Sequence, residues 1–451
     1  MSDSSAASKS GGGGLLLAVI YVTCLFFIWA FVTNLVDPLI KSMMVIYHLN
    51  LFEAMLNQFA FFLAYFVMSL PSAWVLSKFG YAKSVIIGLI GIIAGCIIAW
   101  STLFFHEFAT VLIGLFVAAS GITLLQVAAN PLIASMGDMK NSHFRLNLSQ
   151  AFNSLGAFLG GQFGNAFLLQ GPLFDKNVVP TQEMKDAGLH FVTNVYLEIG
   201  AGLAVFTLLV FLVRNTITNN APKIVEHAPS PFKALTSKWA NLGSIAIFLY
   251  VGAEVAVISG LLLFLEQERI LNVPTQVAGA IAPFFMLFAM FGRFIGSVLL
   301  RFIKATNMLA FVAVCAAALC AVVIATNSPT THPLGGTINL FGYIAPITSG
   351  FIPAGAAILI GLFNSIMFPT IFTLTLERST APASATSGLM CMAIFGGGVL
   401  PPIFGIVADM TGSKSIAFIV PLVCYLYVLW FAFAAKKAPV HAIEEGVSGG
   451  H

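Results

Sequence analysis

Long apolar stretches follow one another along almost the whole chain, and they constrain its fold more than any other feature. A helix of about 20 apolar residues is long enough to cross the hydrocarbon core of a bilayer. By this rule the sequence contains twelve membrane spans, roughly 15–40, 52–77, 84–104, 108–136, 146–170, 191–213, 240–265, 275–302, 307–326, 353–376, 383–408 and 416–435. Region 327–352, rich in Pro, Gly, Thr and Ser, is predicted to be a long loop. The pattern therefore predicts an all-α membrane protein with twelve transmembrane helices.

Composition excludes a sizeable soluble domain. Only 8% of the 451 residues are charged and 59% are hydrophobic, whereas about 25% of a typical soluble domain is charged. The net charge of +3 gives no indication of nucleic-acid binding. All six cysteines lie in apolar stretches, without the spacing of a metal site, and are predicted to be small packing groups. They are Cys24, Cys96, Cys315, Cys320, Cys391 and Cys424.

Lysine and arginine are distributed unevenly between the loops. With both termini in the cytoplasm, fourteen lie on that side and five on the other, which is the bias of the positive-inside rule. The basic connection 214–239 is predicted to be a cytoplasmic linker between two six-helix bundles, 15–213 and 240–435. Residues 1–14 and 436–451 are predicted to be flexible cytoplasmic termini.

The two predicted bundles resemble each other weakly in sequence. Span 4 reads QVAANPLIASMG and span 10 reads NSIMFPTIFTLT, so each has an amide residue, Gln126 or Asn364, five positions before a proline. Span 5 contains GGQFG at 160–164 and span 11 contains PPIFG at 401–405, each after a glycine-rich stretch. Two matches in the same order, six spans apart, favour a duplicated six-helix unit, which places a substrate site near the midplane between the halves.

Two acids lie inside predicted spans. Asp37 is the only charged residue of the first apolar stretch, and Glu254 lies within the seventh. A carboxylate in hydrocarbon costs at least a few kcal/mol, so it needs water, a partner or a proton. Both acids are therefore predicted to take part in proton coupling, with an interfacial or internally paired acid as the alternative. Glu198 and Asp409 lie near span ends and are predicted to be interfacial.

Amide side chains accompany these acids inside the spans. Amides both donate and accept hydrogen bonds, as sugar hydroxyls do, and an aromatic ring offers an apolar face to the C–H side of a sugar. The predicted sugar-binding residues are Trp29, Asn34, Asp37, Gln126, Asn130, Gln150, Asn153, Glu254 and Asn364.

Each amide could instead hold helices together, worth about 1 kcal/mol or less. Asn130 could mainly satisfy the carbonyl freed by Pro131. A charged substrate would need a Lys or Arg in mid-span. None is predicted there, since Arg293 is placed toward the cytoplasmic end of span 8, in gating or helix-end packing.

Five segments carry a resemblance to a known family. They are FFIWAFVTNLVDPLI (26–40), GITLLQVAANPLIASMG (121–137), HFRLNLSQAFNSLGAF (143–158), MFPTIF (367–372) and GGGVLPPIFGIVAD (396–409). Together they resemble the fucose–glucose/galactose–proton symporter family of the major facilitator superfamily. The resemblance implies a two-half, twelve-helix major facilitator fold in a bacterial inner membrane, a monomer, and symport of a neutral hexose with a cation. The coupling cation is expected to be a proton, with sodium left open, and no other cofactor is expected.

The family's span 1 acid, implicated in coupling and sugar binding, matches Asp37, and its cavity residues match Trp29, Asn34 and Asn153. Members that carry fucose have a glutamate at the position of Gln126 and a glutamine at that of Glu254.

Phe368 also stands where the fucose branch has a tyrosine. These departures favour the glucose/galactose branch, with N-acetylglucosamine or fucose as alternatives. An uncoupled facilitator or sensor and a multidrug exporter of the same fold also stay open. An enzyme is disfavoured because the sequence has no nucleophile–base pair, metal cluster or phosphate-binding motif.

Overall fold

The computed structural model describes residues 11–47, 51–168, 181–221, 230–326 and 332–441. Its α-helices are α1 (Gly11–Tyr47), α2 (Leu51–Phe79), α3 (Tyr81–Trp100), α4 (Thr102–Phe105), α5 (Phe108–Ser135), α6 (Ser142–Leu168), α7 (Gln182–Asn220), α8 (Lys238–Leu265), α9 (Thr275–Ile281), α10 (Phe284–Leu299), α11 (Ala305–Ala325), α12 (Phe351–Asn364), α13 (Met367–Arg378), α14 (Ala383–Met392), α15 (Gly396–Thr411) and α16 (Ile419–Lys436).

Eleven of the predicted spans correspond to described helical segments that are long and apolar enough to cross a bilayer. The twelfth, predicted at 146–170, corresponds to α6. Spans 8, 10 and 11 are each built from two α-helices in sequence, α9 with α10, α12 with α13, and α14 with α15. Interrupted helices inside a membrane expose backbone groups, so they are tolerated only where protein or a hydrated cavity satisfies those groups.

The chain divides into two compact units. The first comprises the described residues of Met1–Ala240, Ser379–Met392 and His441–His451. The second comprises those of Asn241–Arg378 and Ala393–Val440. The division near residue 240 lies at the predicted bundle boundary. The first half of span 11, however, belongs to the first unit, where α14 packs against α2 and α5. This packing depends on contacts between distant parts of the sequence, which hydropathy does not encode.

Small side chains allow α14 to approach its neighbours in the first unit. A Cβ atom at Gly388 would lie 2.6 Å from the Cβ of Ala73 on α2. Ser387, the preceding residue, is buried and its Oγ donates a hydrogen bond to the carbonyl oxygen of Val127 on α5 (2.8 Å).

The glycine-rich stretches of spans 5 and 11 have the same role in their own units. In the first unit, a Cβ at Gly160 of α6 would lie 3.0 Å from the Cα of Phe31 on α1. In the second unit, a Cβ at Gly396 of α15 would lie 3.0 Å from the Cα of Phe248 on α8. In both cases the fifth span of the predicted repeat crosses the first span backbone to backbone, as a duplicated unit requires.

Adjacent glycines on α6 provide a matched test of this close approach. Gly160→Ala places a methyl group against the backbone of Phe31, whereas a Cβ at Gly161 has no atom within 4 Å. We expect Gly160→Ala to destabilise the protein by about 1–3 kcal/mol through overpacking and Gly161→Ala to leave stability unchanged. Thermal unfolding in detergent, followed by tryptophan fluorescence, measures both. Equal Tm values for the two variants would contradict the described crossing of α1 and α6.

A β-hairpin occupies part of the region that the sequence predicts as a long loop. Strands β1 (Pro333–Leu340) and β2 (Tyr343–Thr348) pair antiparallel. They are joined by Phe341 and Gly342, with φ of 54° and 89°, which is the left-handed backbone of a two-residue hairpin turn. The prediction of a long loop, which allowed a short interfacial segment, missed this hairpin because Phe-Gly lacks the usual Asn-Gly turn signal. Residues 327–331 lie outside the described part of the chain.

Two predicted element boundaries and one predicted role of a cysteine also need correction. Helix α1 begins at Gly11, so the glycine run at 11–14 is helical rather than a flexible terminus, consistent with the need to pair backbone groups near a membrane. Helix α7 extends to Asn220, into the predicted linker, because no Gly or Pro lies between Arg214 and Pro222 to end it earlier. The cysteine prediction fails for Cys24, which is exposed.

Arg145 of the FRLN segment stabilises the end of a helix. Its guanidinium donates to the carbonyl oxygens of Ile133 (3.1 Å), Ala134 (2.7 Å) and Asp138 (2.7 Å). The last carbonyls of a helix lack intrahelical partners, and a cation there is favourable. Arg145 therefore caps α5, a structural role in a segment that otherwise carries amides.

Candidate functional site

Helix α1 presents the first group of predicted site residues. Trp29 is buried and its ring centroid lies 4.3 Å from that of Phe26. The Nδ2 of Asn34 donates to the carbonyl oxygen of Ala30, one turn earlier on the same helix (2.9 Å). Asp37 belongs to the helical backbone of α1, and its side chain lies outside the described part of the chain. Its predicted role in coupling therefore stays a prediction.

The amides of spans 4 and 5 each donate a hydrogen bond to a neighbouring helix of the first unit. Gln126 Nε2 donates to the Tyr65 hydroxyl of α2 (2.6 Å), and Asn153 Nδ2 donates to the Phe26 carbonyl oxygen of α1 (3.0 Å). Both amides are half-buried. Within the described residues, neither of their carbonyl oxygens has a hydrogen-bond donor. One end of each amide holds two helices together, and the other end can accept from a ligand.

Gln150 and Asn130 form a more enclosed pair. Both are buried, and Gln150 Nε2 lies 3.4 Å from Asn130 Oδ1. This contact links α6 to α5, so it serves as interhelical packing. The Nδ2 of Asn130 has no hydrogen-bond partner in the described structure.

Prolines at matched positions of spans 4 and 10 free a backbone carbonyl, and each carbonyl receives a side-chain donor. Because Pro131 has no N–H, the carbonyl of Val127 loses its helical partner, and it accepts from Ser387 instead. The expectation that Asn130 satisfies this carbonyl was therefore wrong. Pro369 likewise frees the carbonyl of Ser365, which accepts from Arg293 Nε (3.0 Å).

Glu254 and Arg293 form an ion pair inside the second unit. Arg293 Nη2 lies 4.0 Å from Glu254 Oε1, and the two side chains are only 12% and 17% exposed. Glu254 lies in the middle of α8, and Arg293 lies within α10 rather than at its end. Of the two predicted roles of Arg293, helix-end packing does not fit this position within α10, and gating stays a prediction. The sequence could not show the ion pair because Glu254 and Arg293 lie on separate helices.

Neutral polar groups surround this pair. Tyr250, one turn before Glu254 on α8, interacts with both charged side chains. Tyr425 of α16 is close to Asn364, Tyr250 and Glu254. Tyr250, Tyr425 and Asn364 are fully buried, and their side-chain polar atoms have no hydrogen bond of standard geometry within the described residues. The second unit thus concentrates polar chemistry around the interrupted helix of span 10.

Sequence reasoning missed Arg293, Tyr250 and Tyr425 as members of this cluster. The available signal was the spacing of Tyr250 and Glu254, four residues apart on one helix face. No spacing rule could connect them to Tyr425, since residues on separate helices meet only through tertiary packing.

Polytopic helices with buried polar side chains and proline-interrupted spans are typical of membrane transporters. The Major Facilitator Superfamily model matches residues 22–380. The chain belongs to this superfamily, and it is a multi-pass membrane transporter rather than an enzyme.

Similar proteins cover nearly the whole chain. A putative glucose/galactose transporter of Helicobacter pylori (strain J99 / ATCC 700824) is 38% identical over 423 residues, 92% of this chain and 96% of the relative. The glucose/galactose transporter of Brucella abortus biovar 1 (strain 9-941) is 35% identical over 426 residues, 93% and 94% of the two chains. A crystal structure of the E. coli fucose:proton symporter FucP superposes with a TM-score of 0.76 at 26% identity, covering 94% of this chain and 100% of that one. The resemblance and the major facilitator fold predicted from sequence are confirmed.

Proposed function

We propose that this protein is a secondary active transporter that carries a neutral hexose, such as glucose or galactose, together with a cation. The observation that carries the proposal is the 38% and 35% identity to glucose/galactose transporters over more than nine-tenths of each chain. We further propose a proton as the cation, a bacterial inner membrane as the location, a monomer as the working unit and cytoplasmic termini.

The polar residues support a neutral polyol as the substrate. Asn34, Gln126 and Asn153 are half-buried and keep carbonyl oxygens that can accept from sugar hydroxyls. In the second unit, Arg293 is balanced by Glu254, so this cluster carries no net charge that would call for an anionic substrate. Trp29 is proposed to offer an aromatic face to the sugar's C–H side, which requires that its ring, buried against Phe26 in this structure, becomes exposed during transport.

Coupling is assigned to Asp37. The acid takes a proton from the outer side, and its protonated form binds sugar together with Asn34, three residues earlier on the same helix face. Loss of the proton to the cytoplasm then favours sugar release. Both steps require that protonation and sugar binding stabilise the same conformations, which is a linkage between two ligands.

Competition uptake into proteoliposomes tests the proposal. We expect excess unlabelled glucose and galactose to block uptake of labelled galactose, and fucose and N-acetylglucosamine to compete more weakly. Accumulation should collapse when a protonophore dissipates the proton gradient, and removal of sodium should have no effect. Failure of every hexose to compete would contradict sugar transport, and sodium dependence would replace the proton as the cation.

Uncoupled transport gives a different result in the same assay. A facilitator equilibrates the labelled sugar at the same final level with or without the protonophore. A multidrug exporter takes up none of the sugars.

A further inference from the structure

The ion pair of the second unit separates the roles of the two intramembrane acids. We propose, on the basis of the proposed sugar symport, that Arg293 keeps Glu254 ionised throughout transport, so that Glu254 is a fixed acceptor for sugar hydroxyls and does not carry the coupling proton. In this pair Glu254 binds the sugar, and Arg293 positions Glu254 and holds its charge. Asp37 is then the acid that exchanges protons.

Arg293 is fixed in place by a second contact. Its Nε donates to the carbonyl oxygen of Ser365, at the interruption of span 10. Pro369 leaves this carbonyl without a helical partner. The neighbouring Gly292 brings α10 against the same point, since a Cβ there would lie 2.8 Å from the Cβ of Ser365. The guanidinium therefore cannot move away from Glu254 without exposing a buried carbonyl.

The surroundings of Glu254 contain a single charged neighbour among the described residues. Arg293 approaches it from α10, Tyr250 from its own helix and Tyr425 from α16. Both tyrosines are uncharged phenols at neutral pH. Helix α15 packs against α8 through Gly252, which meets Leu400 and the backbone of Gly396. A fixed cation beside a carboxylate favours its charged form, whereas burial favours the neutral acid. The proposal therefore requires that the charge of Arg293 offsets the cost of burying the carboxylate.

The geometry also leaves Glu254 able to bind a ligand. Arg293 Nη2 lies 4.0 Å from Glu254 Oε1, which is longer than a hydrogen bond, and 17% of the Glu254 side chain is exposed. An ionised carboxylate has several lone-pair directions and accepts more than one hydrogen bond. A sugar hydroxyl can therefore donate to Glu254 while the charge of Arg293 remains close by.

Hexose binding measured across pH in an Asp37→Asn background tests the assignment. This background removes the proposed proton carrier, so any remaining pH dependence reports on other groups. We expect D37N and D37N/E254Q each to bind galactose with an affinity that does not change between about pH 5.5 and about pH 8.5. We expect D37N/E254Q to bind more weakly than D37N, because the charged acceptor is lost. Tryptophan fluorescence of purified protein gives the affinities.

Removal of the cation should create pH dependence. In D37N/R293Q, Glu254 is an isolated buried acid that takes up a proton. The affinity of the D37N/R293Q protein for galactose should then fall about tenfold as the pH is lowered, because the charged acceptor Glu254 becomes a neutral acid. Adding E254Q should make the affinity independent of pH again. The control D37N/R301Q removes an exposed arginine of the same unit and should behave like D37N.

The outcomes distinguish failure of the Glu254 assignment from failure of the proposed sugar transport. A pH-dependent affinity in D37N that disappears in D37N/E254Q shows that Glu254 titrates beside Arg293, and it overturns the assignment even if the R293Q variants fail to fold. An unchanged affinity across pH in folded D37N/R293Q also overturns it. Wild-type protein that binds no hexose overturns the proposed sugar transport itself.

Discussion

We expect Asp37→Asn to abolish uphill accumulation of hexose while exchange of sugar across the membrane continues. Asparagine keeps the size and hydrogen-bonding capacity of the side chain but cannot take up and release a proton. The protein can then still bind sugar on both sides, and the final concentrations inside and outside become equal. Uptake driven by an imposed pH gradient and counterflow without a gradient measure the two activities in the same proteoliposomes.

Asp409→Asn is the matched control for this variant. Asp409 is exposed near the end of α15, so its substitution is the same chemical change at a position outside the proposed site. It should retain full accumulation. Normal accumulation by Asp37→Asn would remove Asp37 from the coupling mechanism, and loss of counterflow as well as accumulation would assign it to sugar binding alone.

Among the variants proposed for stability measurements, Arg378→Gln should lower the free energy of unfolding most. Arg378 is 5% exposed. Its Nε donates to the Ala435 carbonyl oxygen at the end of α16 (2.8 Å), and its Nη1 lies 3.1 Å from Glu377 Oε2. Removing one member of a buried pair costs about 3–5 kcal/mol. We expect a large fall in Tm, or loss of folded protein after extraction in detergent.

Two further variants separate charge from packing. Lys437→Gln removes a positive charge from the exposed end of the same helix bundle and should leave Tm unchanged. Glu377→Gln combined with Arg378→Gln removes both charges and should recover part of the lost stability, because no buried charge then lacks its partner. If the double variant is as unstable as Arg378→Gln, the Ala435 contact carries most of the effect.

Much of the fold follows from hydropathy because a bilayer demands long apolar helices with internally paired backbones. The matched glycines of spans 5 and 11 were also visible in sequence, and the structure gives Gly160 and Gly396 the same role in packing. The hairpin at 333–348 was missed because its turn uses Phe341 and Gly342. The membership of Ser379–Met392 in the first unit was missed because it depends on packing between distant residues.

The candidate site was predictable in residue type and less so in role. Polar residues inside spans are rare enough to be noticed in sequence, and Gln126, Asn153 and Glu254 were found in this way. Sequence alone could not show that the side-chain amides of Gln126 and Asn153 already donate a hydrogen bond to a neighbouring helix. It also could not show that Ser387 pairs with the carbonyl of Val127, or that Glu254 has Arg293 as a partner, because these contacts join separate helices.

Proton movement caused by sugar provides the most direct test of the proposed symport. Wild-type protein is placed in weakly buffered vesicles with no ion gradient, and galactose or glucose is added outside. Because each sugar is proposed to enter with a proton, we expect the external pH to rise on sugar addition, and we expect no rise with Asp37→Asn. Entry of the sugar into the same wild-type vesicles without any change in external pH would contradict proton-coupled sugar transport.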